Sequence, residues 1–341
     1  MACALVVTPV FNQARATLDI YFIDVEGGQA TLMVTPTGES LLIDAGFPGD
    51  GAFSSKPGDP AKARDPQRIL AAARAAGITQ IDYLMLSHYH ADHAGGVVEL
   101  AQLLPIKNFI DHGMPGPKAE AGVAGTQAVY DGYAAVRAKG KSLTPKPGDR
   151  LPLKGIDVTM VATNGKTLEK PLSGAGQANS ACTGTGVPAQ EKTENPLSAA
   201  VKVTFGKFRF VNLGDLTDAP LFALACPTNL IGEADVYQIT HHGGADAADP
   251  SMFNALNPRV AIFGNGTTKG AQSQVFDTLR RFPAIETWQI HRTTNDKVEN
   301  SPEARIANLD ETTAHWLKIS ARDDGSFTIT NGRTGVTKTV R

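Results

Sequence analysis

Within Ser87-His88-Tyr89-His90-Ala91-Asp92-His93, four side chains able to ligate a metal lie within six consecutive positions. Three of the chain's eight histidines fall there, a density chance rarely produces. Two residues apart at the end of an extended segment, His88 and His90 can point the same way, while Asp92 and His93 follow at the turn into a helix. One loop thus offers imidazole nitrogens to one ion and a carboxylate plus an imidazole to a neighbouring ion. Capping a helix would need one such residue, not four. Gly95-Gly96 lets the helix approach the site closely.

Other residues of suitable type stand at predicted strand ends. Asp215 follows the apolar run Phe208–Leu213 behind a glycine, where a carboxylate emerges at a sheet edge; the alternative is an N-cap for the next helix. His241-His242 ends the run Val236–Thr240 before two glycines. His242 is the expected ligand, with His241 catalytic or facing substrate. Asp44 reads either as the residue that orients a ligand histidine or as a turn-former. His112, with Asp111 beside it, is open between metal ligand, substrate contact and loop structure. The loop Asn265-Gly266-Thr267-Thr268-Lys269-Gly270 brings an amide and a cation near the same edge, to grip an anionic group or form a solvated turn. His291 after Trp288-Gln289-Ile290 is a further candidate for lining the site.

Strands and helices alternate around these positions. Leu18–Val25, Ala30–Val34 and Ser40–Asp44 read as a meander of three strands. Asp65-Pro66 supplies an N-cap and a first-turn proline, and Ile69, Leu70, Ala73 and Ala76 share a face, predicting a helix over Pro66–Ala76 with Gly77 as its C-terminal cap. A buried strand Ile81–Leu86 runs into the histidines, and a helix over Ala94–Leu104 is stopped by Pro105. Further strands are expected at Lys107–Ile110, Ile156–Ala162, Ala199–Phe205, Phe208–Leu213, Asp235–Thr240, Arg259–Phe263 and Thr287–Ile290, and helices near Thr126–Lys139, Pro220–Ala225 and Gln272–Arg281. This is a two-sheet, helix-flanked α/β pattern.

With 341 residues, 42% of them hydrophobic, the chain can bury a substantial core. Its formal charge of −2 gives no general attraction for nucleic acid or an anionic membrane, so a small-molecule substrate is expected. No apolar run approaches the roughly 18 residues of a membrane-spanning helix. Residues 1–16 read as the stump of a signal peptide ending at Ala14-Arg15-Ala16 or as an N-terminal arm, leaving export open. Residues 17–341 read as a single domain. Its long patternless loops span 112–125 and 164–195, segments of a kind that often cover active sites. A β-hairpin from about residue 314 turns at Asp323-Asp324-Gly325-Ser326. Cys3, Cys182 and Cys226 lack metal-binding spacing; Cys182 and Cys226 would pair in an exported protein, but isolated buried thiols are the preferred reading.

His88-Tyr89-His90-Ala91-Asp92-His93 is similar to the HxHxDH signature of the metallo-β-lactamase superfamily. Phe22-Ile23-Asp24-Val25, Leu41-Leu42-Ile43-Asp44-Ala45-Gly46, Asn212-Leu213-Gly214-Asp215-Leu216 and Thr240-His241-His242-Gly243 most resemble the hydrolase domain of ComEC-type competence proteins. The resemblance implies an αββα sandwich, two mixed sheets flanked by helices, with a centre of usually two metal ions along one sheet edge. By motif, His88 and His90 would hold the first ion, Asp92 and His93 the second, Asp215 would bridge them and His242 would complete the second site. Two departures stand out: no histidine lies between His112 and His241 to complete the first site, and Glu26-Gly27-Gly28-Gln29 replaces a typical Gly-Gln-Gly-Asp.

The implied chemistry is hydrolysis of a phosphodiester, ester or lactone by water activated between the ions, with Asp92 and His241 serving catalysis beside the ligands. Zinc suits these nitrogen and carboxylate ligands best, and manganese or iron would be tolerated. The competing expectations are a β-lactamase or quorum-quenching lactonase and a binding protein that keeps the fold without catalysis.

Overall fold

The computed structural model describes residues 16–115, 125–182 and 192–340. The first part of the chain builds one sheet from β1 (Leu18–Phe22), β2 (Thr31–Val34), β3 (Ser40–Ile43), β4 (Ile81–Met85), β5 (Ile106–Ile110) and β6 (Lys141–Leu143). Between them run α1 (Arg64–Ala75), α2 (Ala91–Ala94), α3 (Val97–Leu103) and α4 (Thr126–Arg137). The chain then crosses to a second sheet. Its strands are β7 (Arg150–Leu151), β8 (Asp157–Thr163), β9 (Lys166–Thr167), β10 (Ala200–Phe205), β11 (Phe208–Asn212), β12 (Val236–Gln238), β13 (Val260–Phe263), β14 (Glu286–His291) and β15 (Ile306–Asn308), with α5 (Asp218–Ala225), α6 (Pro250–Leu256) and α7 (Ser273–Leu279) between them. It finally returns to the first sheet through β16 (Leu317–Ala321), β17 (Phe327–Asn331) and β18 (Thr337–Val340).

The first sheet runs β18-β17-β16-β1-β2-β3-β4-β5-β6 and the second β15-β14-β13-β12-β11-β10-β8-β7, with β9 on β8. In each, an antiparallel part passes into a parallel part, β3 to β6 and β11 to β15. Side-chain alternation decides how they pack. Ile20, Phe22, Met33 and Ile43 of the first sheet meet Val201, Val203, Phe210 and Ile262 of the second in the central core. Phe22 and Phe210 cross edge to face at 5.7 Å. The opposite face of the first sheet buries Leu32, Leu42 and Leu84 against Ile69, Val97 and Tyr133 of its helices. That of the second buries Val211, Tyr237 and Phe263 against Leu224, Phe253 and Val275. The layers are therefore αββα, an α/β fold of two mixed sheets flanked by helices, as expected from the sequence.

Several local readings differ. The helix expected from Pro66 begins at Arg64 without a side-chain cap, because Asp65 is used elsewhere. Its buried carboxylate accepts from the Phe47 N–H at 2.7 Å and from Arg64 at 2.6 Å. Burial pushes the Asp65 carboxyl up to about 6 against the opposing pull of Arg64. The helix expected over Ala94–Leu104 is two pieces, α2 and α3, and Asp92 and His93 already lie in α2. At the other end of α1, Gly77 takes the left-handed conformation, φ +69°, of a C-terminal cap.

Helix α6 and strands β6, β7, β9 and β15 were not legible in the sequence. The C-terminal segment has three strands rather than two, and β16 pairs antiparallel with β1 over five residues. The isolated-thiol reading of Cys182 and Cys226 is corrected: they form a disulfide, which ties part of the patternless 164–195 stretch to the end of α5. Polar, glycine-rich sequence hid the proximity that tertiary folding creates. Residues 1–15 with Cys3, and the middles of both long loops, lie outside the described residues.

Candidate metal centre

The loop ends of both sheets meet along one edge. Strand β4 delivers Ser87 to His90, and α2 carries Asp92 and His93. Asp215 follows β11, while the turn after β12 carries His241 and His242. That turn is unusual: His241, His242 and Gly243 all have left-handed backbone, with φ of +49°, +56° and +78°. Two consecutive non-glycine residues there cost free energy, of order 1–3 kcal/mol each, that the surroundings must offset. Their placement brings both imidazoles to the carboxylate of Asp215.

The centre is a convergence of lone pairs. His93 Nδ1 donates to Asp44 Oδ2 at 2.8 Å, and His242 Nδ1 donates to the Gly264 carbonyl at 3.1 Å. Each Nε2 is then the atom turned inward, to be held by a proton or an ion: against burial, Asp215 and Asp92 raise His93 well above the ordinary imidazole range. These nitrogens lie 3.2 Å from each other, 3.1 and 3.2 Å from Asp215 Oδ2, and both 3.3 Å from Asp92 Oδ2. Two imidazoles and two carboxylates, all buried, thus turn ligand atoms toward one point, with all four within 4.8 Å of one another. Such a set is repulsive unless a cation or protons occupy it, and its composition suits a divalent metal. Asp215 Oδ1 is buried with no hydrogen-bond partner, so this carboxylate retains a second ligand atom.

Charge follows the same logic. Burial would raise the Asp92 carboxyl, but Lys269 and His93 outweigh it and hold Asp92 well below the usual carboxylate range. Asp215 is likewise held low against burial by His242 and His93. Burial, with His93 and His90 nearby, keeps His88 well below the ordinary imidazole range and therefore neutral, the form that ligates. For His241, burial is outweighed by Asp215, 3.8 Å from its Nε2, and by a 2.6 Å hydrogen bond to Asp246; the group rises to about 9.

His88 and His90 stand beside this group: His88 Nε2 is 4.0 Å from Asp215 Oδ2 and 2.9 Å from His90 Nδ1, with a hydrogen bond between the two rings. Asp44 is a buried hub. It accepts from the Ser87 N–H and hydroxyl at 2.7 Å each, from Gln29 at 2.9 Å and from His93. Gln29, at the position of an expected acid, belongs to a buried amide network. It donates to Asn212 at 3.3 Å and accepts from Gln238 at 3.2 Å, and Thr31 donates to Gln238 at 2.8 Å, so the two sheets are joined beneath the site. Lys269 reaches Asp92 directly.

Three candidates lie elsewhere. The His112 ring lies tilted against Tyr89 at 4.5 Å, and its Nε2 bonds Glu194 at 2.9 Å, outside the four-residue group. His291 bonds Asp24 at 2.7 Å in a separate cluster with Glu26, where Arg68 bonds both carboxylates. Asn265 spends its amide on the carbonyls of Gly266 and His291. Sequence reading missed Ser87, Asp246 and Glu194 as partners of the site histidines. Ser87 and Asp246 lie one and five residues from a site histidine, a usable signal, whereas Glu194 sits in the patternless stretch.

Residues 23–166 match the family described as the metallo-beta-lactamase superfamily. No curated protein matches the sequence. Among solved structures, a metallo-beta-lactamase with a HARLDQ motif from Cronobacter sakazakii is 17% identical, with 60% of this chain and 65% of that one covered and a TM-score of 0.35. The chain thus spans just under two thirds of that protein's length. The metallo-beta-lactamase fold protein YhfI from Bacillus subtilis is 12% identical over 80% of this chain and 96% of its own, with a TM-score of 0.44. CmlA, a diiron beta-hydroxylase from Streptomyces venezuelae, is 12% identical over 79% and 51%, with a TM-score of 0.42. Over residues 23–166, the segment that carries the histidine cluster, this chain therefore matches the metallo-beta-lactamase superfamily, and its two mixed sheets with flanking helices are consistent with that fold.

Proposed function

We propose that this chain is a metal-dependent hydrolase of a small-molecule phosphodiester, ester or lactone. The observation that carries the reading is the convergence of the inward lone pairs of His93 and His242 with the carboxylates of Asp92 and Asp215. These four residues would hold one ion. His88 and His90, with the unpaired Oδ1 of Asp215, would supply the second position. Zinc is the ion the donors suit best, with manganese or iron as substitutes. When bound, such ions polarise a substrate oxygen and lower the pKa of water toward neutrality.

The chain's own groups then have defined tasks. Asp44 orients His93, and the Gly264 carbonyl orients His242. His241 is fixed at Nδ1 by Asp246, which leaves its Nε2, 3.8 Å from Asp215 Oδ2, as the group placed to exchange a proton with a leaving oxygen. Lys269, close to Asp92, is placed to bind an anionic substrate group. We take residues 17–341 as one catalytic domain. The Cys182–Cys226 disulfide favours an oxidising, exported setting.

The direct bond between His88 and His90 also supports a second reading, a one-ion binding protein without turnover. Metal content measured after reconstitution, with turnover of a phosphodiester reporter, a lactone, an aryl ester and a β-lactam, separates the readings. Two ions with phosphodiester, ester or lactone turnover is the expected result. One ion and no turnover favours the binding protein, β-lactam turnover alone favours a β-lactamase, and no ion at all overturns the metal centre. His90→Ala and Asp215→Ala should each lose one ion and reduce turnover by at least a hundredfold; wild-type rates in either would displace the site.

A further inference from the structure

A groove of about 290 Å³ opens beside the metal centre, between the loop after β3 and helices α2, α3 and α4. Pro48, Phe53, Ala91, Val98, Ala128 and Val129 give it mainly apolar walls. Ala91 of its wall lies between His90 and Asp92 in the chain, although no residue of the metal centre itself lines the groove. Phe53 links the two physically: its ring is 65% exposed, stands edge to face with Phe47 at 4.8 Å, and lies 5.3 Å from the Lys269 ammonium that contacts Asp92. A large aromatic side chain exposed at a groove mouth needs an explanation beyond core packing. The groove is also made by specific residues: a Cβ on Gly95 would come 2.3 Å from Pro48 Cδ, and one on Gly132 would come 3.1 Å from Val98 Cγ2. Both glycines hold its walls close.

We infer that this groove seats the apolar acyl or aryl arm of the substrate, which makes the substrate a carboxylic ester or lactone rather than a phosphodiester. The inference rests on the hydrolase reading above and narrows it. Polar groups line the groove only on the side of the loop after β3, at Ser54, Ser55 and Lys56, so a nucleotide or sugar would lose hydration against the helical walls, whereas an acyl chain gains by leaving water there. The reaction adds water across the acyl carbon–oxygen bond. The water oxygen bonds to the carbonyl carbon, the bond to the alkoxide oxygen breaks, one water proton passes to that oxygen and the other leaves to solvent, giving a carboxylate and an alcohol. The released carboxylate is the anion that Lys269 is placed to meet.

The test pairs turnover with binding. For metal-loaded protein, kcat/KM on p-nitrophenyl esters from acetate to octanoate should rise by about threefold per methylene until the groove is filled. Octanoate should bind by calorimetry at least tenfold more tightly than acetate. Ala128→Trp, on an exposed face of α4, should fill the groove and cut both the octanoate-to-acetate kcat/KM ratio and octanoate affinity at least tenfold, with metal content unchanged. Phe53→Ala should lower the ratio about fivefold. A flat chain-length series, or preferences unaltered in Ala128→Trp, overturns the groove's role. Octanoate binding that is lost in Ala128→Trp, in a protein that hydrolyses no ester, lactone or phosphodiester, upholds the groove and defeats the hydrolase reading.

Discussion

Asp44 shows how much of the centre depends on a residue that offers the cluster no ligand atom. Its left-handed backbone, φ +62°, turns the carboxylate so that one oxygen holds the Ser87 N–H and the other gathers Ser87 Oγ, Gln29 and His93. Asn at this position keeps the shape but removes the charge and replaces one acceptor oxygen by an amide nitrogen. Asp44→Asn should therefore weaken metal affinity by about 10- to 100-fold, measured by chelator competition; unchanged affinity would mean that His93 is oriented by something else. The cluster around it was legible in the sequence because its spacing is local: His88 to His93 must share one loop whatever the rest of the chain does. His112 was not placed by sequence, because its partner Glu194 is 82 residues away.

At the scale of elements, glycine and a buried lysine make the sharpest predictions. A Cβ at Gly96 would lie 2.2 Å from the Ala45 carbonyl, so α3 docks against the loop after β3 only without a side chain there. Gly96→Ala should cost about 1–3 kcal/mol, read from denaturant midpoints; a neutral effect would show that the contact yields easily. On β10, Val201 and Val203 face the central core while Lys202 faces the helical layer, its ammonium donating to the Ile231 carbonyl at 2.6 Å. Burial brings Lys202 down to about 8, with Arg209 adding to the effect. A folded pKa below the unfolded value of 10.5 means that the unfolded chain binds the proton more tightly, so the penalty is present below about pH 8 and disappears by about pH 10.5. Relative to Lys202→Met, the wild type should gain about 3 kcal/mol of stability from pH 7 to pH 10.5, seen in paired denaturation curves. Parallel pH profiles would show that the amine is hydrated. Alternation made β10 readable, whereas two-residue strands such as β7 and β9 carry too few side chains for any period.

At the scale of the whole molecule, the two sheets are joined near the site by the Gln29, Asn212, Gln238 and Thr31 network and at the far end by the C-terminal hairpin. The Asp323 carbonyl at the hairpin's turn accepts from the Lys207 N–H at 2.7 Å, while Arg259 reaches the Gly325 carbonyl at 2.7 Å. Within the second-sheet half, the Cys182–Cys226 disulfide ties the stretch before β10 to the end of α5 across 44 residues of sequence. Cys182→Ser with Cys226→Ser should lower stability by about 2–4 kcal/mol, and reductant should lower the wild-type melting temperature but not that of the double variant. Equal response to reductant would show that the tie does not matter to folding.

The sequence by itself determined the two-sheet, helix-flanked α/β pattern and the position of the histidine cluster, because both depend on periods of a few residues and on spacing within one loop, while the αββα order of the layers came from the family resemblance. The family resemblance implied Asp215 and His242 as partners of those histidines, but only the tertiary structure decided how these and other distant groups meet them. Asp215 and His242 come from the second sheet, Asp44 and Gln29 from the first, and Lys269 from a loop 177 residues beyond Asp92. It likewise decided that His112 and His291 bond Glu194 and Asp24 instead, and that Cys182 finds Cys226. The physical reason is that a hydrogen bond or lone-pair contact acts over about 3 Å, a range that sequence spacing fixes within one turn or strand but not between strands folded together from opposite ends of the chain.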